Sequence, residues 1–127
     1  MPQELTRILY VEDDPDIQAI AMMVLETIGG FTLKACSSGS EALENAVRFK
    51  PDLVLLDVMM PGMDGPETLK SLRNFPELAS TPVIFMTAKV QPQEVEGYLN
   101  LGAVGVIAKP FDPMTLAQQL RDIWARR

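Results

Sequence analysis

Short apolar runs alternate with amphipathic stretches five times along the chain. Ile8-Leu9-Tyr10-Val11 predicts a first strand. Asp14-Pro15 then predicts a helix start, with Asp14 as N-cap and Pro15 at the first helical position. Ile17, Ile20, Ala21, Val24, Leu25 and Ile28 follow the i, i+3, i+4, i+7 spacing of one buried helical face. Gly29-Gly30 ends that helix, since glycine tolerates the left-handed conformation beyond a helix end. Phe31 to Cys36 predicts a second strand. Ser38-Gly39-Ser40-Glu41 reads as a capping box, and Ala42, Leu43, Ala46 and Val47 give its helix an apolar face. Pro51 breaks the pattern.

Leu53-Val54-Leu55-Leu56 is continuously apolar, as a strand buried on both faces requires. Pro61-Gly62-Met63-Asp64-Gly65 is a turn signal, and Leu69 and Leu72 mark a short third helix. Pro82 to Met86 predicts the fourth strand, Gln91 to Leu101 a fourth helix ended by Gly102, and Val104 to Ala108 the fifth strand. Asp112-Pro113 repeats the cap-and-proline start, and Leu116, Leu120 and Ile123 supply the last apolar face. These five βα units carry no linker, repeat or compositional break, so residues 1–127 are expected to form a single domain. Alternating strands and helices predict an α/β fold with a doubly wound, five-stranded parallel sheet flanked by five helices. Right-handed crossovers bring every strand's C-terminal end to one edge. Ligands bind such sheets at that edge, where the strand order reverses.

The expected edge collects chemistry. Glu12, Asp13 and Asp14 follow the first strand, Asp57 the third, Thr87 ends the fourth, and Lys109-Pro110 follow the fifth. Two carboxylates about 5 Å apart repel by roughly 3 kcal/mol at an effective dielectric near 20. A hard divalent cation relieves that repulsion, and carboxylate oxygens are its preferred ligands. Asp57 is suited to act as a nucleophile forming an aspartyl phosphate. A cation and Lys109 would neutralise the transferring phosphoryl group, with the Thr87 hydroxyl as donor. Asp14 is read as a helix cap rather than a ligand.

Composition narrows the choice. The chain has 17 acidic and 11 basic residues, a formal net charge of −6. That balance argues against direct nucleic-acid binding, which needs a basic face. There is no histidine, so any phosphohistidine donor must come from outside. The lone Cys36 excludes an internal disulfide and reads as a core thiol. The start, Met1-Pro2-Gln3-Glu4-Leu5, lacks an apolar targeting segment, and no run approaches the roughly 20 apolar residues of a membrane span. A cytoplasmic protein is expected.

From about Arg7 to Trp124 the chain resembles the receiver domains of two-component response regulators. The resemblance rests on Ile8-Leu9-Tyr10-Val11-Glu12-Asp13-Asp14, on Pro51 to Gly65 around Asp57, on Met86-Thr87-Ala88 and on Lys109-Pro110-Phe111. It implies a flavodoxin-like, CheY-like strand order 2-1-3-4-5. It implies that Asp57 is phosphorylated by a partner histidine kinase or histidine phosphotransfer protein. Magnesium, or manganese in its place, would be bound by Asp13, by Glu12 through water, by Asp57 and by the Met59 backbone carbonyl. Thr87, Ala88 and Lys109 would bind the phosphoryl group and sense it, and Lys89 and Met59 would border the pocket. The Lys109-Pro110 bond would be cis. Only self-directed phosphoryl transfer and dephosphorylation are expected, and no separate enzymatic activity.

One position departs from the family. Receivers carry Tyr or Phe three residues before the strand-five lysine, and this chain has Val106. The coupling in which that aromatic follows the threonine has no ring here. The output face is still expected on the fourth helix, fifth strand and fifth helix, with Tyr98 either a substitute reporter or a half-buried helix residue. The output is expected to be a protein contact or a phosphoryl relay by a monomer or weak homodimer, unless the chain is a piece of a larger regulator. Two rival readings meet direct objections. A haloacid-dehalogenase-type phosphatase needs a second acid where Met59 stands, and a flavin carrier needs a phosphate loop where the acidic cluster stands. A receiver that binds partners without phosphorylation is the third rival.

Overall fold

The computed structural model describes residues 4–127; Met1, Pro2 and Gln3, at the head of the segment read for targeting signals, lie outside the described residues. Five strands form one parallel sheet: β1 (Arg7–Val11), β2 (Thr32–Cys36), β3 (Leu53–Asp57), β4 (Val83–Thr87) and β5 (Gly105–Ala108). Their spatial order is β2-β1-β3-β4-β5, as the resemblance implies. The helices are α1 (Pro15–Thr27), α2 (Gly39–Phe49), α3 (Gly65–Leu72), α4 (Pro92–Asn100) and α5 (Leu116–Arg126). A short 3-10 turn at Pro76–Leu78 was not expected from the pattern.

The pleat sorts the core into two layers. Ile8, Tyr10, Leu53, Leu55, Ile84, Met86 and Ile107 face α1 and α5. Leu9, Val11, Val54, Leu56, Val83 and Phe85 face the other helices. Every residue of β3 and β4 is buried, which is why their runs are uninterrupted by polar positions. Register alignment pairs Tyr10 with Leu55 and Asp57 with Met86.

Several expectations shift. Of the α1 stripe, Ala21, Val24 and Leu25 are buried, but Ile20 and Ile28 are exposed. Ile20 lies about 100° around the helix from Ala21, on the edge of the buried arc, and Ile28 is the C-cap, past the helix proper. Asp14 does cap α1, accepting from the Asp16 and Ile17 amides. Ser38 caps α2 through the Glu41 amide, but Glu41 reaches back to the Ser37 amide rather than to Ser38, so the box is displaced by one residue. Asp64 and Glu67 complete a reciprocal box on α3 that the turn signal concealed. The segment after Asp112-Pro113 is a turn, and α5 starts only at Leu116. Asp112 still organises that entry, its carboxylate accepting from the Met114 amide and its carbonyl from Leu116. Among the described residues no helix is long and apolar enough to cross a membrane.

Candidate functional site

The chain leaves β1 outward to β2 and returns to β3 on β1's other side, so the strand order reverses between β1 and β3. Glu12, Asp13 and Asp57 sit at the C-terminal ends of those two strands. One carboxylate oxygen from each lies within 4.8 Å of the others. Glu12 and Asp57 are buried, at 1% and 2% exposure, and Asp13 is more open. Lys109, just past β5, bridges the two buried acids, with Nζ 2.9 Å from Glu12 Oε1 and 3.2 Å from Asp57 Oδ1. The second Glu12 oxygen accepts from the Asp14 amide at 3.3 Å.

Two anions against one cation leave the pocket underneutralised. Burial raises the Asp57 pKa, the hydrogen bond and charge of Glu12 raise it further, and Lys109 offsets this only in part, leaving it at about 7. Burial works against the Lys109 ammonium, but the Glu12 and Asp57 contacts outweigh it and hold its pKa above that of an ordinary lysine. The three carboxylates are hard oxygen donors, and their unbalanced charge fits a divalent cation.

The remaining expected site residues lie around this cluster. Thr87 is buried, and its hydroxyl accepts from the Lys89 amide at 3.1 Å. Ala88 is exposed and lines a groove that reaches Lys109. The Met59 side chain is exposed. Lys109-Pro110 is cis, as the resemblance implies. Val106 lies opposite Phe85 in the sheet register. Tyr98 is half-buried, its ring 5.4 Å from that of Phe85 and tilted by 58°. It is the aromatic contact of a helix, α4, that has no buried residue at all. Cys36 is fully buried, and burial, then the Glu41 charge, push its thiol up to about 11, as suits a core residue.

Three residues that support the site were not singled out from the sequence. Gln18 of α1 donates through one amide nitrogen to the carbonyls of Glu12 and Cys36, each at 3.1 Å, tying the acid-bearing loop to β2. Its trace in the sequence is a polar residue between Ile17 and Ala21 on an otherwise apolar stripe. Gly65 lets α3 begin against the acceptor strand, because a Cβ there would lie 2.7 Å from the Asp57 carbonyl and 2.8 Å from Val58 Cα. Tyr10 places a hydroxyl inside the apolar core beneath the acids.

The chain matches the response regulator receiver domain family over residues 8–121. It is 37% identical over 115 residues to the DNA-binding response regulator MtrA of Mycolicibacterium smegmatis, covering 91% of this chain and 49% of that protein. It is 36% identical over 118 residues to the probable transcriptional regulator ycf29 of Porphyra purpurea, covering 91% of this chain and 55% of that one. The chain thus spans about half the length of these curated relatives. Among solved structures, chemotaxis protein CheY4 of Vibrio cholerae superposes with a TM-score of 0.86 at 29% identity, covering 94% of this chain and 99% of that one.

Proposed function

Because the chain belongs to the response regulator receiver domain family of two-component signalling, we propose that residues 1–127 form one receiver domain in which Asp57 accepts the phosphoryl group. The observation that carries this reading is the buried Asp57 carboxylate, held among Glu12, Asp13 and Lys109 at the strand-reversal edge. In the transfer, an Asp57 oxygen forms a bond to phosphorus as the bond to the donor's nitrogen or oxygen breaks. The donor keeps that electron pair.

Asp13, Asp57, the Met59 carbonyl and Glu12 through water would hold magnesium or manganese. Bound there, the cation supplies positive charge against the phosphoryl oxygens. Asp57 must be ionised to attack, and the metal-free pocket holds its pKa up at about 7, so a cation that favours the carboxylate would also ready it for attack. Lys109 is positioned to leave the carboxylates and pair with a phosphoryl oxygen. Thr87 and Ala88 flank the space that group would enter, and the Thr87 hydroxyl, whose oxygen accepts from the Lys89 amide, can donate its O–H to a phosphoryl oxygen. The test is incubation with magnesium and acetyl phosphate. The protein should gain the mass of one phosphoryl group, and chelating the metal should abolish the gain; an unchanged mass in magnesium overturns the reading.

Asp57 cannot be reached by a donor protein without contact beside the pocket. An apolar groove of about 360 Å³ opens there, lined by Ile17, Ile20, Ala88, Pro110, Phe111 and Pro113 and ending at Lys109. It suits the apolar face of a helix that presents a phosphohistidine, which supports a histidine kinase or phosphotransfer protein as the donor. Ile20→Lys should slow transfer from such a protein about tenfold, the size of one lost apolar anchor. Self-phosphorylation from acetyl phosphate should be unchanged, because Ile20 is already exposed. Equal slowing with both donors would show that the groove is not the docking face.

A further inference from the structure

Among the described residues, one buried side-chain polar atom has no hydrogen-bond partner: the hydroxyl of Tyr10. The residue is fully buried in β1. It precedes Glu12 by two positions; Glu12 lies just past β1 but its amide still pairs with the Cys36 carbonyl, so the extended run carries both side chains to the same face. The register places Tyr10 beside Leu55, and Asp57 follows Leu55 by two on that same face. Tyr10 therefore lies one step beneath the acid cluster. Its phenol is held in the neutral, donating form first by burial, then by the charges of Glu12, Asp57 and Asp14, and by its approach to the Glu12 carboxylate. A buried hydroxyl without a well-formed hydrogen bond is costly, and its approach to the Glu12 carboxylate offsets that cost only in part in the resting site.

The acceptor it faces already has a partner on each oxygen. Glu12 has one oxygen on Lys109 and the other on the Asp14 amide. In the reading above, which this inference rests on, Lys109 leaves Glu12 for the phosphoryl group. That departure takes the one ammonium from a carboxylate that is almost completely buried and leaves it the Asp14 amide and the water-mediated link to the cation proposed above; a buried charge that loses a charged partner is strongly destabilised. We propose that Tyr10 is a positioning residue that takes over Glu12 when Lys109 departs, its hydroxyl donating to the carboxylate that the ammonium has released. The resting site then holds its replacement donor in reserve, and Lys109 is free to move because Glu12 is not abandoned.

The hand-over predicts a change of sign that packing alone does not produce. In the metal-free wild-type background, Tyr10→Phe removes an unsatisfied hydroxyl and should raise the thermal midpoint by about 4 °C. In a Lys109→Met background, Glu12 has already lost its ammonium, so Tyr10 should already be bonded to it. There Tyr10→Phe should lower the midpoint by about 4 °C. The same direction of change in both backgrounds overturns the proposal. With magnesium and acetyl phosphate, Tyr10→Phe should be phosphorylated about tenfold more slowly at saturation, with an unchanged half-saturating donor concentration. This arm stands alone if the double variant does not fold, and a wild-type rate then overturns the proposal. Failure of the wild-type protein itself to accept phosphate would count against the receiver reading, whereas the two-background stability comparison would still decide the role of Tyr10.

Discussion

Asp57→Asn is expected to stabilise the metal-free protein at neutral pH by roughly 2–4 kcal/mol while abolishing phosphoryl acceptance. The unfolded chain titrates this carboxyl near its ordinary value of about 3.9, whereas the folded pocket holds it at about 7. Below the lower value both states are protonated and folding is not penalised. As the pH rises towards 7, folding increasingly requires either a retained proton or a charge forced into the pocket, and stability falls. Asparagine keeps the shape without that titration. The gain should therefore be full above pH 7 and vanish near pH 4. Urea denaturation of both proteins between pH 4 and pH 8 measures it, and a gain that does not depend on pH would refute the electrostatic origin. Magnesium should narrow the gap, because it relieves the same repulsion in the wild type and has a weaker site in the variant.

Lys109→Met should act in the opposite direction. The ammonium is the cation that touches both buried acids, with its own side chain only 18% exposed. Removing one member of a buried ion pair costs about 3–5 kcal/mol, because the remaining charge loses its counter-ion and a neutral donor such as the Tyr10 phenol offsets that only in part. Here two carboxylates are left facing each other. The metal-free variant should lose about that much stability at pH 7 and regain part of it as the pH falls and the pair takes up a proton. Phosphoryl acceptance should fall at every pH, since the charge that Lys109 would set against the phosphoryl oxygens is lost. Denaturation at pH 7 with and without magnesium separates the effects. A cation that restores stability but not acceptance assigns Lys109 to the phosphoryl group as well as to the resting pocket.

The two largest expected effects come from residues whose type and position are legible in the sequence. Glu12, Asp13, Asp57 and Lys109 follow apolar runs, and parallel topology alone brings the ends of those runs together. The strands β3 and β4 were equally legible, because burial on both faces leaves no polar interruption. What was not legible depends on approach between distant segments. Nothing local reveals that Gln18 meets the Cys36 carbonyl, or that Gly65 must admit the Asp57 backbone. The same cap-and-proline pattern starts α1 at Pro15 but only a turn after Asp112, because the chain there must still cross from the site onto the α1 side of the sheet before α5 can bury Leu116 and Leu120. Ile20 has the spacing of a core residue and the exposure of a contact residue, a difference set by what α1 packs against rather than by its own period.

Helix α4, with no buried residue and one tilted ring contact to Phe85, has a thermodynamic consequence. An aromatic pair of this kind contributes about 0.5–1.5 kcal/mol beyond its buried area. The helix therefore occupies a shallow well, and competing poses lie close in energy. Inverting a ten-to-one preference between two such poses takes about 2.8 kcal/mol, within reach of one or two charge-assisted hydrogen bonds made at the strand edge from which α4 departs. A weakly anchored helix lets a small chemical event redistribute an ensemble, and a partner that favours the minor pose then needs only modest differential affinity to capture it.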